Sequence, residues 1–200
     1  MRTFQFVNLF EYLISFFRNN ILEYTRFIKF ERSLTNIPRI IPSIKIAVKP
    51  ASINHIQKIC ARTFRRRNCE RKLAKRLRNG HICFIAEERK KQIVGYFWVA
   101  FREIFLSEIG KKMKLSNGNA YLYNAFVFPE FRNKKVFEKM LEEILRFLRK
   151  KQFTKAYIGT RASNIPSLRG IRRVGYKPKE VVTLLRVFGL KITLNTDVNA

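Results

Sequence analysis

Acidic residues are scarce. Fourteen Asp and Glu stand against 42 Lys and Arg, a formal net charge of +28. Such a surface attracts anions of many kinds, nucleic acid and acidic lipid headgroups among them, without choosing between them. Histidine occurs only at His55 and His81. That leaves too few ligands for a His/Cys zinc site and few candidates for a Ser-His-Asp triad, so no metal is expected. The three cysteines, Cys60, Cys69 and Cys83, lack CxxC or metal-like spacing. An odd count without a disulfide pattern fits a reducing compartment, and a cytoplasmic location is expected. No apolar run reaches the roughly 20 residues that span a bilayer. A G-x-G-x-x-G turn and repeated βαβ units are both missing, which excludes a dinucleotide-binding Rossmann fold. There is no RNA-binding aromatic motif, zinc finger or helix-turn-helix signature, and the basic residues are spread along most of the chain. Nucleic acid is therefore not expected as a partner, and a basic nucleic-acid-binding protein is the weakest of the alternatives.

Hydrophobic residues make up 46% of the 200, enough for one domain with a real core. Phe6, Leu9, Phe10, Leu13, Ile14, Phe17 and Ile21 recur at helical spacing, so residues 1–22 read as an amphipathic helix. Asn8 and Glu11 interrupt it, and no small-residue cleavage site follows, which argues against a signal peptide. Peripheral membrane contact through residues 1–22 is one use for such a helix. Tyr24 to Phe30 reads as a short strand, and Pro38 and Pro42 mark a linker. The sequence thus divides into residues 1–42, an N-terminal extension, and 43–200, a compact domain.

Within that domain Ile44–Val48 alternates as a strand. Helices are expected from Ser52 to about Phe64 and over about 67–78, stopped by Asn79-Gly80. His81–Glu88 and Gln92–Arg102 read as a hairpin, and residues 106–118 as a looser polar stretch. Ala120–Phe128 is an apolar strand stopped by Pro129. A helix follows over about 136–151, with Val136, Phe137, Met140, Leu141, Ile144, Leu145 and Leu148 on its apolar face. Strand 156–160, a short helix over 164–174, and strand-like segments at 181–187 and 192–194 complete the chain. The order predicts an α/β sandwich on a mixed sheet.

The stretch Val127-Phe-Pro129-Glu-Phe-Arg132-Asn133-Lys134-Lys135-Val136-Phe137 carries the most chemistry. An apolar strand passes through a basic turn into a helix. Unpaired amides, the positive end of the helix dipole and three cations meet there, and a pyrophosphate fits. The stretch resembles the V-x-P-x-x-R-x-x-G-x-G/A signature of the GNAT (N-acetyltransferase) superfamily. Asn164-Ile-Pro-Ser167-Leu-Arg-Gly-Ile171-Arg-Arg-Val-Gly175-Tyr176 is similar to the later motif of that family, and 76–99 resembles its central hairpin. The similarity covers about residues 44–188.

The resemblance implies a GNAT fold, with a mixed sheet whose parallel strands splay near Val127 and Thr160. It implies an N-acyltransferase, foremost an N-acetyltransferase, that moves an acyl group from acetyl-CoA or another acyl-CoA to an amine acceptor by direct attack in a ternary complex. On the matching positions, Phe126 and Val127 would pair with the pantetheine arm. Arg132, Asn133, Lys134, Lys135, Val136 and Phe137 would hold the pyrophosphate, and Asn164 and Ser167 would help to seat the cofactor. This sequence departs from the pattern at Lys135 and Phe137, which replace loop glycines, at Ile171, which replaces a tyrosine, and at Asn124, where a carboxylate is frequent. Glu103, Tyr121 and Tyr123 remain as candidate catalytic groups, while His81 reads as a strand-end cap. The departures leave open a GNAT-fold binding module without turnover.

Overall fold

Leu22 to Ser33 alternates aromatic and β-branched residues with charged ones, a pattern that suits a strand with neighbours on both edges. In the computed structural model, which describes residues 22–62, 69–187 and 190–198, this segment is β1. The expected N-terminal helix falls outside the described residues except for Leu22, which opens β1. The remaining strands are β2 (Ile46–Pro50), β3 (Ile82–Glu88), β4 (Ile93–Ala100), β5 (Glu103–Leu106), β6 (Lys111–Lys114), β7 (Asn119–Val127), β8 (Lys155–Arg161), β9 (Lys177–Val187) and β10 (Leu190–Asp197). The helices are α1 (Ile53–Arg62), α2 (Cys69–Arg78), α3 (Val136–Lys150) and α4 (Ile165–Arg173).

Eight strands form one sheet in the order β10-β9-β1-β8-β7-β4-β3-β2. Only the β7–β8 pair is parallel, as a right-handed crossover through α3 requires. β1 lies inside this sheet. Phe27 pairs with Arg161 of β8 on one side and Val182 of β9 on the other. The boundary read at residues 42/43 therefore separates two strands of one sheet. Proline punctuation there marks a crossing of the chain, with Ile40 N–H donating to Glu142 Oε2 (2.7 Å) and Ser43 N–H to the Lys134 carbonyl (3.2 Å).

Alternation along β4 assigns the two faces of the sheet. Phe97 packs on Phe137 of α3, and Phe84 of β3 on Phe147 of the same helix. Trp98 points the other way and meets Arg76 of α2. So α3 covers one face and α2 covers the opposite one. Val136, Met140, Leu141, Ile144, Leu145 and Leu148 are buried along α3, as the heptad-like spacing predicts.

Two features differ from the expectation. Residues 103–114 are a hairpin, β5–β6, rather than loose chain. Ile104, Leu106 and Ile109 close a second apolar cluster with Phe27, Ala100, Tyr121 and Val182. Three lysines in four residues hid β6. Cys60 and Cys69, read as unpaired, form a disulfide between the end of α1 and the start of α2, with Cα atoms 5.7 Å apart. The two thiols meet where α1 ends and α2 begins, which a spacing rule does not capture. The pairing removes the ground on which a reducing compartment was inferred. Cys83 is buried and free, its thiol pushed up to about 12 by burial.

Candidate active site

β7 and β8 pair only from Asn119↔Lys155 to Leu122↔Ile158. Beyond that point they part, each held by its outer neighbour. Gly95 and Tyr96 of β4 hold Val127 and Phe126 of β7, while Ile28 and Phe27 of β1 hold Thr160 and Arg161 of β8. A bulge bends β7 at the divergence. The β4–β7 register slips between Tyr96 and Trp98, and Asn124 takes a left-handed backbone at φ 48°. At Gly159 on the parting strand a Cβ would collide with the Phe27 ring and the Tyr121 hydroxyl, so no larger residue fits there. The result is a cleft whose β7 wall, Tyr123 to Val127, has an open backbone edge towards β8.

Past Val127 the chain makes a single 3-10 turn, Pro129–Phe131, and enters α3 through Arg132–Lys135. Arg132 Nε donates to the Val127 carbonyl (3.3 Å), tying the turn to the cleft wall, and its guanidinium lies over Phe126. Lys134 Nζ stands over the Phe131 ring. Asn133 and Lys135 both adopt left-handed backbone, at φ 60° and 57°. Lys135, the residue just before α3, thus keeps the conformation that a glycine at this position permits. Val136 is buried and anchors the first turn, whose amides have no carbonyl four residues back to bond. Among the described residues, Arg132, Lys134 and Lys135 enter no ion pair, so their charge stays uncompensated at those amides. Open backbone donors, a helix N-terminus and three unpaired cations suit a phosphorylated, strand-like ligand such as CoA.

Phe137 fills the space beside Gly170 of α4, where a Cβ would lie 2.7 Å from its ring. Arg173 Nη1 also reaches Glu138 Oε1 (3.2 Å), so α4 packs on the start of α3. Asn164 caps α4, its side chain accepting from the Ser167 N–H (3.3 Å). Ile171, at the position of the family tyrosine, is fully buried in the core.

The opposite face of the cleft holds the titratable groups. Tyr123, next to the bulge, meets His81 at the start of β3: Oη and Nδ1 are 2.5 Å apart, with the rings edge to face. The Glu103 backbone and carboxylate both favour a proton on His81. A neutral His81 with its proton on Nε2 lets Nδ1 accept from the Tyr123 hydroxyl. Burial, then the charge of Arg76, holds His81 below its ordinary value. Burial pushes Tyr123 up to about 12. At neutral pH the pair is therefore a neutral imidazole accepting from a neutral phenol.

The three expected catalytic residues thus have different settings. Tyr123 lines the cleft. Tyr121, on the same face two residues earlier, is sealed in the second cluster with no partner for its hydroxyl, and burial pushes its ionisation up. Glu103 acts on His81 through both its backbone and its charge. Its exposed carboxylate pairs with Lys112 across the hairpin (2.8 Å), and that bond holds it below the usual carboxylate range. Sequence reasoning marks neither His81 nor Arg76 as part of the chemistry. Only the strand pairings Ile82↔Val99 and Trp98↔Tyr123 bring them to the cleft.

A family model described as the acetyltransferase (GNAT) family matches residues 51–176. Comparison with curated proteins finds no significant match. Among solved structures, a GCN5-related N-acetyltransferase from Sphaerobacter thermophilus superposes with a TM-score of 0.62 at 15% identity, over 94% of this chain. This chain spans 58% of that protein's length. A GCN5-related glucosamine N-acetyltransferase region of a fungal multi-domain GH3 β-N-acetylglucosaminidase gives 0.61 at 12% identity, over 88% of this chain and 22% of that one. A GNAT-family acetyltransferase from Colwellia psychrerythraea gives 0.59 at 11% identity, over 88% and 61%. At these identities the likeness shows the fold, a mixed sheet with one splayed parallel pair and helices on both faces.

Proposed function

The chain belongs to the acetyltransferase (GNAT) family, and on that premise we propose that it transfers an acetyl group from acetyl-CoA to an amine acceptor within a ternary complex. The observation that carries the reading is that the β7–β8 parting opens beside a basic, amide-rich turn at the start of α3. Acetyl-CoA supplies the activated acyl thioester when bound. Phe126 and Val127 offer it open backbone. Arg132, Lys134, Lys135 and the first-turn amides of α3 hold its pyrophosphate. The other face of the cleft receives the acceptor. Tyr123 Oη takes a proton from the amine while passing its own to His81 Nδ1, whose protonated form the Glu103 backbone and carboxylate favour.

One observation favours a second reading. Ile171 offers no proton to a departing thiolate, so a binding module without turnover has the same donor site. Calorimetric titration of acetyl-CoA in about 150 mM salt, where exposed charges are screened beyond roughly 8 Å, tests the first step. 3′-Phospho-ADP and an unrelated polyanion serve as controls. Saturable one-site binding above both controls is expected. Heat that the polyanion reproduces refutes the donor site. Acetyl-CoA binding with no CoA thiol release across an amine panel selects the second reading.

A further inference from the structure

The acceptor side of the cleft carries a cation without a counter-charge. Arg76 of α2 reaches over two rings that are cross-strand neighbours on β4 and β7. Its guanidinium carbon is 5.1 Å from the centroid of Trp98 and 5.1 Å from that of Tyr123. One of its terminal nitrogens, Nη1, is buried and has no hydrogen-bond partner. An N–H sealed without an acceptor is an expensive arrangement that native structures seldom keep without a use. Among the described residues Arg76 joins no ion pair, whereas Lys29, Arg62, Lys139, Arg146 and Arg173 each meet a carboxylate. The charge acts on the site. It adds to burial in depressing His81, and opposes burial at Tyr96, Tyr123 and Cys83.

Contact with two rings holds the guanidinium in place, so less side-chain freedom remains to be lost on binding. A guanidinium fork with an unpartnered N–H matches a planar carboxylate. The neighbouring Tyr123–His81 pair stands where the acceptor amine would be handled. We infer that the acceptor is an amine bearing a carboxylate, an amino acid or a peptide end, and that Arg76 receives that carboxylate while the amine faces Tyr123. The inference rests on the acetyl-transfer reading above and adds the acceptor class to it.

Trp98 is the chain's single tryptophan, so its fluorescence reports on this site alone. The probes are product-like: N-acetylglycine, N-acetyl-leucine and N-acetylglutamate, each against its carboxamide, in about 150 mM salt with acetate as the control for non-specific anion binding. At least one carboxylate should bind saturably, at least tenfold more tightly than its amide and than acetate, and Arg76→Gln should abolish the difference. Equal responses of acid and amide, no saturable response to any acid, or a difference that survives Arg76→Gln would each overturn the inference. Should the variant not fold, the wild-type comparison of acid with amide is decisive by itself. Acetyl-CoA calorimetry on the same preparations separates the two claims. Normal acetyl-CoA binding without carboxylate selectivity removes the acceptor class and leaves the donor site standing. Absent acetyl-CoA binding in the wild type removes the transferase reading itself.

Discussion

Replacing Lys135 by glycine should stabilise the protein, although it removes a side chain and adds none. Lys135 is held at φ 57° and ψ 24°, where an L-residue with a Cβ is disfavoured by roughly 1–2 kcal/mol. Glycine removes that strain but gains freedom in the unfolded chain, which offsets about 0.5–1 kcal/mol of the benefit. The net gain is about 0.5–1 kcal/mol. For a chain of this size that corresponds to a rise in melting temperature of about 1–4 °C. Lys135→Ala provides the control, because alanine loses the ammonium but keeps the Cβ and the strain. Thermal unfolding followed by circular dichroism, at matched pH and salt, should rank the glycine variant above both alanine and wild type. Acetyl-CoA calorimetry should show both variants losing the same contribution from the ammonium. If glycine and alanine melt together, the strain at this position does not exceed the freedom that glycine gains in the unfolded chain, and the expected stabilisation is refuted.

Arg132→Ala should weaken acetyl-CoA binding about tenfold, the scale of one charge-assisted contact, read by titration. Tyr123→Phe and His81→Ala should each lower kcat by about a hundredfold, the lower end of general-base effects, with acetyl-CoA affinity unchanged. Because His81 must be neutral to accept a proton and sits below its ordinary 6.5, activity should hold as pH falls to that value and decline only beneath it. Arg76→Gln removes one of the influences that depress His81, so with any acceptor still turned over the acidic limb should move upward. The Cys60–Cys69 bridge spans a sequence separation of 9, so its reduction should cost about 2–3 kcal/mol by the loop-entropy estimate. A thiol assay on oxidised, denatured protein should find Cys83 alone.

What could be read from the sequence was local. The β7–turn–α3 unit was legible because a period-two apolar run, a proline stop and a helical apolar stripe succeed one another between Ala120 and Leu148. The α4 cap was equally local, Asn164 and Ser167 being three residues apart. The left-handed backbone at Lys135 could be read only through the family pattern, since lysine itself gives no sign of positive φ. What escaped was set by distant parts of the chain. β1 looked like part of an extension because its partners lie more than a hundred residues away. The lysines of β6 masked a strand that owes its place to Ile104 and Leu106 beneath it. Tyr123 was chosen from its strand, but its partner His81 was not, since nothing near residue 81 announces a neighbour at residue 123. Glu103 drew attention as a carboxylate, but that carboxylate pairs with Lys112 and reaches His81 only through its charge.

The place of β1 has a consequence for how the chain is made. β1 is flanked by β8 and β9, which follow it by more than a hundred residues. Throughout most of synthesis both edges of β1 lack their partners, and the β8 wall of the cleft has nothing behind it once it emerges. The cleft therefore takes shape only when segments more than a hundred residues apart meet. Such long-range closure is slow and leaves strand edges exposed in the meantime. A fragment trimmed to the family-matched residues 51–176 would lack β1 altogether, and with it the support that keeps β8 apart from β7.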